Sequence, residues 1–216
     1  MRQSLTPDDL LNNPEFELIE EIDYANLKSF VLKEIERRSV LIVAYSIVQV
    51  VAILAMAGLL AFFTIGLFVD GKFSSELITA GCAIMFSCTL LIPIHELIHA
   101  AAFLALGKRN IGFGVQWKKF LFYAEANLQV LNRNEMIIVG LAPLAVIAIV
   151  SITIIALQIS TLTSLFFAVV FTVHLLFCGG DIAIISFFLR HKQMEMYTFD
   201  NREKKKSFYF VRKRTK

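Results

Sequence analysis

Charged residues are scarce in this chain. Only 18% of its 216 residues are Asp, Glu, Lys or Arg, whereas 57% are hydrophobic and the mean hydropathy is +0.68. A soluble domain averages about 25% charged residues, so this composition excludes an ordinary soluble domain. The length allows one domain. Because the apolar residues form long blocks, we predict an all-α integral membrane protein.

Cysteine is also rare, and its placement excludes a disulfide framework. The three cysteines are odd in number and lie within apolar blocks, at Cys82, Cys88 and Cys178. We expect them to be reduced and to pack as small apolar side chains. A cleavable signal peptide is not expected, because the first 38 residues are polar and acidic and the apolar block that follows is too long.

Four apolar blocks predict a bundle of four transmembrane helices, because each exceeds the roughly 20 residues required to cross the hydrocarbon core. The blocks are residues 39–69, 77–106, 136–157 and 162–189. They form a predicted membrane domain, 39–189. We expect the preceding segment, 1–38, to be an amphipathic lead-in on the membrane surface and the following segment, 190–216, to be a basic tail.

The distribution of Lys and Arg predicts the orientation. These residues are concentrated before the first block, between the second and third, and after the fourth, whereas the two remaining loops carry only Lys72. The positive-inside rule therefore places both termini and the central loop in the cytoplasm of a multi-pass cell-membrane protein. We expect the basic tail, with aromatic residues at 208–210, to lie against the anionic lipid bilayer and not to bind nucleic acid.

The central loop carries a strand pattern. Between residues 111 and 117, apolar side chains alternate with glycine and glutamine, which is the period of a strand. A turn at Lys118–Lys119 and a second extended segment, 120–130, would complete a β-hairpin at the cytoplasmic face or dipping into it. The alternative is an interfacial amphipathic helix or loop.

The second block contains the sequence His95-Glu96-Leu97-Ile98-His99. On a helix, its two imidazoles face the same side one turn apart, which suits a zinc ion with Glu96 as a general base. Ionisable side chains are costly inside a bilayer, so we expect this cluster to be functional. A catalytic zinc generally takes three protein ligands and leaves one position for water.

Depth in the membrane selects a third ligand. Asp181 lies nine residues before Arg190, or about 13 Å below the cytoplasmic end, between the depths of the two motif histidines. His174 lies about 10 Å deeper. We therefore predict Asp181 as the ligand and His174 as a group that orients a ligand or faces substrate. Alternatively, Asp181 is a structural carboxylate and His174 bonds to a neighbouring helix.

A glycine pair precedes Asp181 in the fourth block. Gly179–Gly180 is expected to weaken or bend the helix. A local bend would let the carboxylate turn toward a metal ion. Close packing of two helices at these small residues is the alternative.

Several short segments resemble a known family. They are Pro93 to His99, Tyr123-Ala124, Gly140-Leu141-Ala142-Pro143 and Gly180-Asp181-Ile182. From about residue 84 to 200 the chain resembles the DUF3267 family, small bacterial membrane proteins described as zincin peptidases, and more distantly the site-2 proteases. The resemblance implies zinc ligands at His95, His99 and Asp181 and a general base at Glu96. His174 departs from the asparagine common in the family, and the Asn-Pro-Asp-Gly pattern of site-2 proteases is absent.

These observations predict a zinc-dependent intramembrane metallopeptidase. Its substrate would be a membrane-embedded or membrane-associated polypeptide, cleaved near the cytoplasmic face. The alternative is a non-catalytic membrane protein, either with a structural or regulatory metal site or of a binding or immunity type. A transporter is disfavoured, because a single polar cluster on the cytosolic side leaves no continuous polar track.

Overall fold

The computed structural model describes residues 5–70, 74–116 and 121–213. Within these residues the chain is mostly helical, with a short 3-10 helix at Tyr24–Asn26. The α-helices are α1 (Pro7–Asn12), α2 (Leu27–Glu36), α3 (Val40–Asp70), α4 (Ser75–Thr89), α5 (Leu91–Ala105), α6 (Arg133–Ala156), α7 (Thr161–Phe177) and α8 (Gly179–Arg190). The strands are β1 (Phe16–Asp23), β2 (Ile111–Gln116), β3 (Leu121–Ala126), β4 (Leu131–Asn132), β5 (Met196–Asn201) and β6 (Lys206–Arg212).

The chain divides into two compact units. The first unit contains residues 1–39, 96–142 and 180–216, and the second contains residues 40–95 and 143–179. Helices α5 and α6 each begin in one unit and end in the other.

The first unit contains a four-stranded antiparallel sheet in the order β1-β6-β5-β4. Along β6, Phe208 and Phe210 pack with Phe199 on one face of the sheet, while Tyr209 packs against Phe187 of α8 on the other. Successive side chains of a strand point to opposite faces, so aromatic residues in succession fill two apolar layers. The prediction of an all-α fold was therefore wrong: the chain is mostly helical with a small β-sheet.

The two chain ends, predicted to lie on the membrane surface, both supply strands of this sheet, and their contact with the bilayer stays a prediction. The lead-in supplies β1, and the basic tail supplies β6, whose aromatic residues at 208–210 are buried. Acids of the lead-in pair with bases of the tail: Glu21 Oε1 lies 2.5 Å from Lys206 Nζ, and Glu15 Oε2 lies 2.8 Å from Arg212 Nη2. Lys206 and Arg212 of the tail thus have partners within the protein.

The predicted hairpin is confirmed in the described residues. Strands β2 and β3 pair antiparallel, with Ile111 opposite Ala126, and the alternative of an interfacial helix is wrong. The predicted turn at Lys118–Lys119 lies outside the described residues. A Cβ atom on Gly112 would collide with the Arg202 guanidinium, and one on Gly114 would collide with the Tyr123 ring. The glycines therefore let these two side chains lie across β2.

In the second unit, α7 packs against α3 and α4. Phe86 of α4 and Phe166 of α7 have ring centroids 5.6 Å apart. Near the end of α7, the Leu175 carbonyl accepts hydrogen bonds from Tyr45 Oη at 2.6 Å and from Gln49 Nε2 at 2.8 Å. These bonds hold the end of α7 against α3.

The described chain has two to four helical segments that are long enough to cross a membrane. Residues Val40–Ile65 and helix α6 are each long and apolar enough to cross a membrane, and two bent helix pairs qualify if each pair is one span. The bend between α7 and α8 is 46°, as expected at Gly179–Gly180. The 48° bend between α4 and α5 was not predicted. It follows from Pro93, because proline cannot donate to the carbonyl of the residue four positions earlier, Thr89.

No cysteine forms a disulfide, as predicted, but the three do not share one environment. Cys178 is fully buried at the end of α7, whereas Cys82 and Cys88 are exposed on α4. The prediction that all three pack as small apolar residues is therefore confirmed only for Cys178.

Candidate metal centre

The five-residue motif lies on a regular α-helix. Its histidines, His95 and His99, are both buried on α5, and Glu96 between them is partly buried. Residues four positions apart on an α-helix are neighbours on one face. The imidazoles therefore face the same side, as the sequence predicted.

Two contacts hold the His99 ring in the first unit. Nδ1 lies 3.0 Å from the Val139 carbonyl oxygen of α6, and Nε2 lies 3.4 Å from Asp181 Oδ1 in the first turn of α8. A carbonyl can only accept, so Nδ1 carries a proton and donates it to Val139. Nε2 is then the ring nitrogen that faces the carboxylate.

This arrangement fits a cation. When Nδ1 is protonated in a neutral ring, Nε2 presents a lone pair. A lone pair and a carboxylate oxygen repel each other unless a proton or a cation lies between them. Zinc accepts both imidazole nitrogen and carboxylate oxygen, and its histidine ligands usually donate their other N–H to a carbonyl or carboxylate. His99 and Asp181 therefore have the chemistry of two zinc ligands.

A second contact involves the other motif histidine in the second unit. His95 Nδ1 lies 3.0 Å from Nε2 of His174, which is completely buried on α7. One of these nitrogens donates to the other. The contact is the one expected if His174 orients a ligand, although that role stays a prediction.

Cys178 adds a thiol to this pair, and the three residues offer donors within 4.8 Å of one another. The sulfur is 3.6 Å from both ring nitrogens of His174. Equal distances place it over the ring face, whereas the lone pairs of imidazole lie in the ring plane. The thiol therefore fits a packing contact better than a coordination position.

Because the fourth block is broken into two helices, the depths of His174 and Asp181 cannot be compared along one helix axis. His174 and Asp181 were placed on one rigid helix, about 10 Å apart along its axis. They lie instead on separate helices, α7 and α8, and each meets a different motif histidine. Their assignment as orienting group and metal ligand stays a prediction.

The sequence did not reveal the partner of His99 Nδ1. That partner is a backbone carbonyl, and backbone atoms carry no residue signature. One signal was present: Pro143 stands four residues after Val139, and a proline in a helix leaves that carbonyl without its usual donor.

Away from the motif, the hairpin is attached to the rest of the first unit by polar side chains. Tyr24 Oη donates to Glu125 of β3, and Arg202 forms an ion pair with the same carboxylate. Nearby, desolvation raises the pKa of Asp200 to about 6, the Ser207 hydroxyl opposes the shift by hydrogen bonding, and the charge of Glu125 adds to it. Glu125 thus has a phenol and a guanidinium as partners, and its charge acts on the buried Asp200.

The helical fold and the motif together define a class, a helical protein with the His-Glu-x-x-His motif that is typical of zincin metallopeptidases. The chain belongs to the DUF3267 family, described as "Putative zincin peptidase", whose model matches residues 88–195. The match includes His95, Glu96, His99, His174 and Asp181, and it begins after α3 and ends before β5. Neither a curated protein nor a solved structure matches the chain.

Proposed function

We propose that the chain is a zinc-dependent intramembrane metallopeptidase that cleaves a membrane-associated polypeptide near the cytoplasmic face. The observation that carries the proposal is the His99 ring, fixed by Val139 and directed at Asp181 beside the general base Glu96. Membership of a zincin family and two to four apolar helices of membrane-spanning length support it.

Three side chains would hold the metal ion. His99 and Asp181 face each other at 3.4 Å, and His95 faces the same side of α5 because it lies one turn before His99. This gives two imidazoles and one carboxylate, a set that zinc uses in catalytic sites. When bound there, zinc supplies a Lewis acid that polarises the scissile carbonyl and acidifies a water molecule.

The remaining steps belong to the chain. Glu96 takes a proton from the attacking water onto its carboxylate and returns it to the nitrogen of the leaving amine. The Val139 carbonyl holds the His99 ring through its Nδ1 atom, and His174 holds the His95 ring through its Nδ1 atom. Fixed rings reduce the reorganisation required at the moment of reaction.

The proposed partner is an extended segment of a protein in or on the lipid bilayer. The distribution of basic residues around the predicted spans favours access of the substrate to the site from the cytoplasm. The hairpin β2–β3 offers a strand edge, and strand addition presents a peptide in the extended form that hydrolysis requires.

Glu96→Gln tests catalysis separately from metal binding, since it removes the base and leaves the ligands. Full-length chain and variant would be purified in detergent for zinc analysis, and membranes of cells that produce each would be compared for new protein termini. We expect about one zinc per chain in both proteins and new termini only with the unaltered chain. Zinc in both without new termini would favour the non-catalytic alternative, and no zinc in either would overturn the metal site.

A further inference from the structure

Pro143 lies inside α6, where it changes the hydrogen bonding of an earlier residue. In an α-helix each carbonyl accepts from the N–H four residues later. Residue 143 has no N–H, so the Val139 carbonyl lacks its helical donor, and the proline ring presses that carbonyl outward. A carbonyl turned away from its helix is available to another donor.

The donor that it meets is His99 Nδ1, 3.0 Å away. Val139 is 2% exposed, and Pro143 is among the completely buried side chains. Backbone polar groups away from water are nearly always hydrogen-bonded. The missing N–H of Pro143 and the N–H of His99 Nδ1 therefore complement each other, and their pairing sets the ring so that Nε2 faces Asp181.

The residue after Val139 contributes in a different way. A Cβ atom on Gly140 would lie 3.0 Å from Ile185 Cδ1, 3.1 Å from Ile185 Cγ1 and 3.9 Å from the Asp181 carbonyl oxygen. The first two distances are shorter than ordinary van der Waals contact, so an alanine would force the Ile185 side chain to give way by a few tenths of an ångström. The absence of a side chain at position 140 thus allows α6 to approach the turn of α8 that carries Asp181.

We infer that Pro143 and Gly140 are positioning residues of the metal site. Pro143 frees the carbonyl that orients His99, and Gly140 permits the approach of Asp181. This inference rests on the proposed function in one respect, namely that His99 and Asp181 bind zinc.

Pro143→Ala restores an N–H that competes with His99 for the Val139 carbonyl. We expect zinc affinity, measured by chelator competition on the full chain, to fall about 10- to 100-fold, the range typical of residues that orient metal ligands. Alanine favours a helix more than proline does, so the melting temperature of the metal-free protein should stay the same or rise. A merely structural role for Pro143 would instead lower stability and affinity together.

Histidine ¹⁵N spectra provide a readout that does not depend on activity. In the unaltered chain the His99 signal should show a protonated Nδ1, and in Pro143→Ala it should show a mixture of tautomers. Pro14→Ala, a substitution outside the helices, is the matched control and should change neither zinc affinity nor the spectrum. Unchanged affinity in Pro143→Ala would overturn the role of Pro143.

Gly140→Ala tests the role of Gly140, and it remains informative if Pro143→Ala does not fold. We expect weaker zinc binding, with recovery in the double variant Gly140→Ala/Ile185→Ala, which removes the two atoms that the new methyl group meets. Gly81→Ala on α4 is the matched control, because a Cβ atom there has no neighbour within 4 Å. Equal affinity in the two glycine variants, or no recovery in the double variant, would overturn the role of Gly140.

The outcomes separate this inference from the proposed function. Zinc bound normally by the unaltered chain and equally well by Pro143→Ala and Gly140→Ala would overturn the inference alone. An unaltered chain that holds no zinc would overturn both.

Discussion

At the scale of single residues, the candidate site depends on how each ring nitrogen is used. His99 uses Nδ1 for a backbone carbonyl and directs Nε2 at Asp181, whereas His95 uses Nδ1 for His174. In both residues Nδ1 lies against a group of the protein. This common arrangement is what a metal site requires, because partners beyond the ligands fix their orientation.

The two candidates for the third ligand are distinguished by matched substitutions to asparagine. Asp181→Asn replaces a charged oxygen ligand by a neutral one, and we expect it to weaken zinc binding at least about tenfold. His174→Asn should have a smaller effect, because asparagine still offers a hydrogen bond to His95. Chelator competition on the purified variants measures both, and a larger loss in His174→Asn would contradict the assignment.

A second prediction at this scale concerns Asp200, whose pKa is raised from 3.8 to about 6. The folded chain holds this proton more tightly than the unfolded chain does, so its stability should fall as the pH rises from about 4 to about 6 and stay lower above that. The loss is at most about 3 kcal/mol. Asp200→Asn, which keeps an acceptor for Ser207, should remove this pH dependence and raise the melting temperature at pH 7.5.

The matched control for this prediction is Asp8→Asn, since Asp8 is exposed in the first turn of α1. Melting curves of both variants and the unaltered chain between pH 4 and 8 would be compared. Identical curves for Asp200→Asn and the unaltered chain would show that Asp200 does not carry the pH dependence.

At the scale of elements, α2 is tied to the end of α8 by a buried carboxylate. Glu34 is 2% exposed and accepts from Arg190 Nε at 3.2 Å and from Arg190 Nη2 at 3.0 Å, and Arg37 Nη1 adds a third bond at 3.2 Å. Two parallel bonds from one guanidinium fix direction as well as distance. Helix α8 is thus held at its last turn, with Asp181 in its first.

Glu34→Gln should loosen this tie. An amide cannot satisfy two guanidinium groups as a carboxylate does, so we expect a loss of about 1–3 kcal/mol in the free energy of unfolding. Glu36→Gln on the same helix is the control, because Glu36 is exposed. Denaturant or thermal unfolding in detergent measures the difference, and equal stability of the two variants would show that the buried pair contributes nothing.

At the scale of the whole molecule, the orientation in the membrane stays a prediction. Reporter fusions at Lys118 and Arg212 should report the cytoplasm, and fusions at Ser75 and Thr161 the opposite side, because Lys and Arg are concentrated in the segments predicted to be cytoplasmic. A fusion at Lys118 that reports the outside would reverse the orientation and with it the proposed route of the substrate.

Local patterns determined much of this protein by sequence alone. Long apolar runs predicted helices, alternation around Gly112 predicted a strand of the hairpin, and Gly179–Gly180 predicted a bend, because each of these depends on nearby residues. The four-residue spacing of His95 and His99 placed two imidazoles on one helix face for the same reason. These predictions required no knowledge of distant parts of the chain.

The tertiary structure decided what distant segments do together. β1 and β6 come from opposite ends of the chain, and their pairing depends on register and on acids such as Glu21 meeting bases such as Lys206. Neither segment shows that partner by itself, so the sequence did not predict a sheet there. The hydrogen bond between His99 and the Val139 carbonyl also depends on tertiary structure. The sequence shows that Pro143 lacks an N–H, but packing between α5 and α6 decides which donor replaces it.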